Sequence, residues 1–311
     1  MAQQQQQVKP SLKDATNNRP VIAVLAQLDK SDKKGRSYIA ASYIKYLESG
    51  GARVVPVPVS ATEQQVDEIF NGVNGVLFPG GGVKWDAGKP DYYSHAIRFM
   101  DKAKTANDNG DFFPVWGTCL GFETLHVIEG GEDPDILTHG YQAEDISIAL
   151  DFKENPRGTK IFKDCPEDIS TALAKEKITY NHHQAGVSPD TYKSNTNLSG
   201  FFNIVSTNKD LAGKLFVSTV EAKNYPIYGT QWHPEKNNFE FNTNLEICHT
   251  SIAVLMTQYM SNFFVNQARK NQHEFVSEER LQELLIYNYS PVYTGKTDGA
   301  HKNFEQCYMF D

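Results

Sequence analysis

The sequence predicts an α/β protein in which a mostly parallel central sheet is flanked by helices on both faces, with an antiparallel extension and a C-terminal tail that wraps the body. Three observations predict it. Short apolar runs of strand length alternate with amphipathic stretches of helix length through the first half of the chain. The connections between them are short, so parallel pairing with crossover helices is the simplest topology. The second half is more mixed, with several strand-like runs followed by one long amphipathic helix.

Taken in order, residues 1–18 read as a disordered lead-in, because the Gln run from Gln3 to Gln7 offers nothing to bury. Residues 19–311 are expected to form one domain, without repeat or linker. Val21 to Ala26 is the first strand. Ser37 to Ser49 is expected to be a helix, ended by Gly50-Gly51. Ala52 to Val59 is a valine-rich strand that frays at Pro56 and Pro58. Thr62 to Phe70 is a helix with Thr62 as N-cap and Gln65 at the capping-box position. Gly75 to Phe78 and Pro114 to Trp116 are strands, with a helix from Tyr92 to Asn107 between them. Ile146 to Leu150, Ile204 to Ser206, Phe216 to Val220 and Tyr228 to Gln231 are further strands, and Ser251 to Lys270 is the long helix. The remainder is irregular and aromatic.

The composition excludes several functions. Of 311 residues, 40% are apolar and 12% aromatic, which is enough for a large core. A net charge of -8 without Lys/Arg blocks argues against a nucleic-acid surface. No run of about eighteen apolar residues exists, so no membrane span is expected. The start has no apolar h-region and is not a signal peptide as given. Cys119, Cys165, Cys248 and Cys307 are far apart and form no C-x-x-C pair, so neither a metal site nor a disulfide framework is expected. Sequons occur at Asn197 and Asn288, the second made poorer by Pro291.

Three segments carry chemistry. Gly117-Thr-Cys119-Leu-Gly121 follows a strand and precedes an apolar helical run. A nucleophile between small residues on a strand-to-helix turn is the nucleophile elbow, with Cys119 at the positive end of a helix and the Leu120 N–H aimed where an oxyanion forms. Taken alone, the pattern fits a buried structural cysteine about equally well. Gln231-Trp-His233-Pro-Glu235 follows another strand. A thiol needs a base, and the base needs a group to hold its tautomer; Glu235, two residues on, would share a face with His233 on extended backbone. Alone, His233 reads as a turn residue before Pro234. Pro79-Gly80-Gly81-Gly82 lets backbone N–H groups approach a ligand and suits the other half of an oxyanion hole. It is not a phosphate loop, since no Gly-Lys-Ser/Thr follows. All three follow strands, so they can meet at the carboxyl edge of one sheet.

These segments make the chain resemble the class-I glutamine amidotransferase-like proteins, whose sheet is flavodoxin-like, and within them the γ-glutamyl hydrolase family. The matching segments are Tyr38–Lys45, Gly75–Gly82, Phe113–Glu123, Pro226–Lys236, Phe263–Lys270 and Ile286–Tyr289. Leu120-Gly-Phe-Glu123 and the late segments mark the subfamily. The resemblance implies Cys119 as nucleophile, His233 as base with Glu235 behind it, and no cofactor. It implies a second active-site histidine two residues after Asn181, hence His183 and not His182; where the family carries an aromatic two residues later, this chain has Ala185. Glu123 and Tyr38 resemble cleft residues that hold the substrate's glutamate ends. The implied substrates are folyl and antifolyl poly-γ-glutamates, whose α-carboxylates call for cations; Arg36, Lys84 and Lys236 lie near the motifs. The family is typically homodimeric and lysosomal or secreted, or vacuolar in plants. The competing readings are a glutaminase that hands ammonia to a synthetase, and an inactive binding relative.

Overall fold

The computed structural model describes residues 16–29, 36–83, 92–296 and 301–311. Lys84 and residues 1–15 of the lead-in lie outside the described residues. Strands follow in chain order as β1 (Val21–Leu25), β2 (Gln27–Leu28), β3 (Ser37–Ala40), β4 (Arg53–Val57), β5 (Val76–Phe78), β6 (Val115–Thr118), β7 (Thr138–Ile148), β8 (Asp151–Phe152), β9 (Thr179–Gly186), β10 (Phe202–Lys209), β11 (Leu215–Ala222), β12 (Ile227–Thr230), β13 (Val292–Tyr293) and β14 (Gln306–Phe310). The helices are α1 (Ala41–Ser49), α2 (Glu63–Gly72), α3 (Tyr92–Asp108), α4 (Leu120–Glu129), α5 (Glu167–Lys175), α6 (Pro189–Ser194), α7 (Thr196–Phe201), α8 (Lys236–Phe239), α9 (Ser251–Ala268) and α10 (Glu278–Leu284).

The main sheet runs β4-β1-β5-β6-β12-β11-β10-β8. The pairs from β4 to β12 are parallel, and those from β12 to β8 are antiparallel. This is the mostly parallel sheet with an antiparallel extension that the sequence predicts. Strand β1 is apolar and buried along its whole length because both faces of the sheet are covered. Val21, Ala23 and Leu25 share a core with Val66 of α2, Phe99 of α3 and Phe122 of α4. Ile22 and Val24 pack with Ile44 of α1, Leu173 of α5 and Phe264 of α9 on the opposite face. Helix α2 begins with the expected reciprocal capping box between Thr62 and Gln65.

The structure corrects two expectations and adds one strand. Ser37 to Ser49 is not one helix: Ser37–Ala40 is strand β3, held between β2 and β14, and the helix begins at Ala41. Pairing with distant strands overrides the local helical pattern. The tail is not irregular to its end, since β14 adds antiparallel to β3. Strand β9 is absent from the sequence reading because Thr-Tyr-Asn-His-His-Gln-Ala-Gly alternates no apolar residues; it pairs with β7 in a small separate sheet.

Candidate active site

The carboxyl ends of β5, β6 and β12 bring the three sequence motifs to one rim. Cys119 ends β6 and caps α4 with φ 52° and ψ −107°, a conformation that a non-glycine residue adopts only when its surroundings impose it. Its N–H donates to Thr230 O at 2.8 Å, which ties the elbow to β12. The strain thus sits on the cysteine itself. The flanking glycines serve close packing: a Cβ at Gly121 would lie 2.0 Å from Phe78 O, and one at Gly117 2.6 Å from Gly121 O.

Gly80 lies at the centre of the group. A Cβ there would meet His233 Cε1 at 2.7 Å, Tyr43 Oη at 2.7 Å and Cys119 Cβ at 3.0 Å. The imidazole edge and the carbon bearing the sulfur therefore face each other across the space a side chain at Gly80 would fill. The thiol is turned toward the His182 carbonyl, at 3.9 Å, and among the described residues no hydrogen bond joins it to His233. Contacts of this kind commonly tighten only when substrate binds.

His233 is held on several sides. Its N–H donates to Tyr180 O of β9 at 2.8 Å, and the preceding Trp232 is fully buried with its indole N–H on Thr219. Its Nδ1 donates to Glu235 Oε1 at 2.8 Å, which leaves Nε2 as the basic nitrogen. Glu235 reaches it from a helical turn, φ −78° and ψ −20°, rather than from extended backbone. Both residues are nearly or wholly buried.

The electrostatics favour a neutral resting pair. Burial pushes the Cys119 thiol well up, the carboxylates of Glu123 and Glu235 add to this, and the Leu120 N–H on the sulfur opposes it. Burial pushes the His233 imidazole down, against the pull of Glu235. Burial also works to raise Glu235, but His233 and Lys236 outweigh it and hold the carboxyl below its usual value.

The remaining expected residues divide. Glu123 is in the site: buried in the first turn of α4, it accepts from Gln231 Nε2 at 3.0 Å, and burial pushes it up to about 7. Gly81 packs against the Gln27 side chain, whose Nε2 donates to Gly80 O at 2.6 Å. The Gly80 N–H itself donates to Tyr43 Oη at 2.8 Å, which takes it out of the expected oxyanion donors. Tyr38 does not touch the dyad; its ring lies 4.1 Å from that of His301, and its strand pairs with Gln27. The His183 ring packs against Tyr141 and Phe216, its Nδ1 2.8 Å from Ala185 O and its Nε2 3.3 Å from Asn181 Oδ1. Burial pushes it down to about 4. Its neighbour His182 presents its backbone carbonyl to the sulfur.

Sequence reasoning missed Tyr43 and Gln27, which organise the glycine turn from elsewhere in the chain. Lys236 is more informative than its sequence position suggested. It is 4% exposed, lies over the rings of Phe304 at 4.7 Å and Tyr180 at 5.8 Å, and makes no ion pair among the described residues. Among those residues there is no three-residue metal-ligating group.

The sequence matches the peptidase C26 family over residues 20–235. It is 43% identical over 298 residues to "Gamma-glutamyl hydrolase B" of Dictyostelium discoideum, covering 95% of this chain and 84% of that protein. It is 42% identical over 300 residues to "Gamma-glutamyl hydrolase" of Homo sapiens, covering 95% and 91%. A solved structure of a glutamine amidotransferase from Thermotoga maritima aligns with a TM-score of 0.48 at 11% identity, covering 80% of this chain and 98% of that one. The chain belongs to the peptidase C26 family, alongside these γ-glutamyl hydrolases.

Proposed function

We propose that this protein hydrolyses γ-glutamyl amide bonds of folyl and antifolyl poly-γ-glutamates through a thioester on Cys119. The observation that carries the proposal is the meeting of Cys119, His233 and Tyr43 around Gly80, in a chain about two-fifths identical to γ-glutamyl hydrolases.

His233 Nε2 takes the thiol proton as sulfur attacks the γ-carbonyl carbon. The carbonyl π pair moves onto oxygen, held by the N–H groups of Leu120 and Gly81; a single such donor contributes about 3 kcal/mol to the transition state. As the tetrahedral intermediate collapses, the C–N bond breaks and the leaving amine takes the proton from His233. Water, deprotonated by the same imidazole, then attacks the thioester and releases the γ-carboxylate and the thiol. Glu235 holds Nδ1–H and steadies the imidazolium. Every proton is carried by His233, so the scheme calls on no cofactor.

Lys236 is the cation we assign to a substrate α-carboxylate: it is buried, makes no direct ion pair among the described residues, and its charge already acts on the nearby Glu235 and Glu240 carboxyls. Glu123 and Tyr38 complete the cleft in this proposal. His183 is a second active-site histidine that acts through β9, whose His182 carbonyl lies against the sulfur. A homodimer, and a lysosomal, secreted or plant-vacuolar location, follow from kinship and belong to the proposal. The test is product analysis with pteroylpentaglutamate. The intact chain releases glutamate or short γ-glutamyl peptides and Cys119→Ala does not; equal rates from both would end the proposal.

A further inference from the structure

Tyr43 lies at the junction of the glycine turn and the catalytic pair, and no step above uses it. It stands on the first turn of α1 with 1% of its surface exposed. Its hydroxyl oxygen accepts the Gly80 N–H at 2.8 Å and lies 3.3 Å from His233 Nδ1. The Nδ1 proton is already given to Glu235 Oε1 at 2.8 Å, so Tyr43 Oη is a second, longer acceptor for it. The Tyr43 proton then has the Glu235 carboxylate as its natural acceptor; that charge, after burial itself, is the largest influence keeping the phenol un-ionised. One hydroxyl thus spans the oxyanion turn and the imidazole–carboxylate pair.

We propose that Tyr43 is a positioning residue for this reaction: its hydroxyl fixes the Gly80–Gly82 turn relative to His233, so that the oxyanion donors and the base keep one geometry throughout the cycle. The idea rests on the Cys119 hydrolysis described above. It also assigns the Gly80 N–H to the scaffold rather than to the substrate. A tyrosine in this place suits an acyl-transfer site better than a phenylalanine. Gly80 has no side chain of its own to anchor it, its carbonyl is held by Gln27 Nε2, and its N–H, buried at the rim, needs an acceptor.

The test is Tyr43→Phe, which keeps the ring in its core packing and removes only the oxygen. Circular dichroism and thermal melting give the folded fraction, and rates are expressed per folded molecule. The inference expects kcat for pteroylpentaglutamate to fall roughly 10- to 100-fold, with KM within about twofold, since the lost geometry matters where charge develops. It expects a glutamyl γ-aldehyde, which forms a tetrahedral thiohemiacetal on Cys119, to lose affinity by a similar factor. A purely structural tyrosine would lower the folded fraction and leave kcat per folded molecule and aldehyde affinity unchanged. That result, or a rise in KM that matches the loss in kcat/KM, overturns the inference. Should Tyr43→Phe accumulate too little folded protein, Gln27→Met provides the second arm. It releases the Gly80 carbonyl, the other anchor of the same turn, and must give the same kcat-against-KM split. The two ideas fail separately: full activity in Tyr43→Phe sinks the positioning role alone, whereas full activity in Cys119→Ala sinks the hydrolase mechanism.

Discussion

The two edges of the central sheet each bury a polar cluster, and the clusters are built to opposite rules. At the amino edge, Asn74 accepts the Val21 N–H at 2.8 Å and donates to Asn271 Oδ1 and His273 O, both at 2.9 Å. Asn271 donates on to Phe112 O at 3.0 Å, and His273 joins Phe70 O to Asp111. Every member has its partners within the protein. At the carboxyl edge, Glu235 Oε2, Gln231 Oε1 and Gln27 Oε1 are buried and have no hydrogen-bond partner among the described residues, and Lys236 is a buried cation without an ion pair among them. A satisfied buried network holds strand starts together, whereas one left incomplete retains strong interactions for a substrate. Burial alone therefore does not distinguish glue from site; satisfaction does.

Breaking that contrast should give different signatures at the two edges. The largest effect is expected from Glu235→Gln, which keeps the shape but removes the charge behind His233. By the behaviour of comparable triads, kcat falls by about 10³- to 10⁴-fold with little change in melting temperature. A loss under tenfold in steady-state assays would mean that the carboxylate does not orient the base. Gly80→Ala comes next. The added methyl enters the space between His233 Cε1 and Cys119 Cβ, and kcat falls about 100-fold. Near-normal turnover would place the chemistry elsewhere.

Asn74→Ala probes the other edge. It orphans the Val21 N–H and removes the hub of the network, so urea unfolding should report a loss of about 2–4 kcal/mol. Activity per folded molecule stays unchanged; a kcat defect there would erase the distinction between the edges.

The smallest effect sharpens the electrostatics of the rim. Burial raises Glu123 to about 7, so in the folded state it keeps its proton longer than in the unfolded chain. The folded state therefore binds more protons between the unfolded value, about 4.3, and about 7. Across that window this group makes stability fall as pH rises. Glu123→Gln should flatten that part of the stability–pH curve. It should also speed alkylation of Cys119 several-fold above pH 7, because Glu123 is the carboxylate that most raises the thiol. An unchanged alkylation rate would show that the two groups are not coupled.

The front of the sheet was legible in the sequence because its signals are local. The fully apolar Val21–Leu25, the Thr62–Gln65 capping box and the glycines around Cys119 each need only their neighbours to be interpreted. The meeting of Cys119 with His233 was legible because each motif ends a parallel strand, and such ends share one rim. Tyr43 was not legible: it touches residues 37 and 190 positions away, and nothing in its own segment separates it from the other aromatics of α1. Strand β9 was hidden because its pairing with β7 replaces the apolar alternation that would announce it. The role of the Gly80 N–H was misjudged for the same reason. A glycine-rich turn advertises free amides, and only the packed structure reveals which of them the protein uses itself.

The central claim is that a covalent bond forms at one sulfur. Mixing the protein with pteroylpentaglutamate, quenching in acid within milliseconds to seconds and weighing the intact chain tests it most directly. The account predicts an acyl adduct that maps to the peptide containing Cys119, decays as products appear and is absent from Cys119→Ala. Turnover without any adduct on that peptide, sustained in Cys119→Ala, would contradict it.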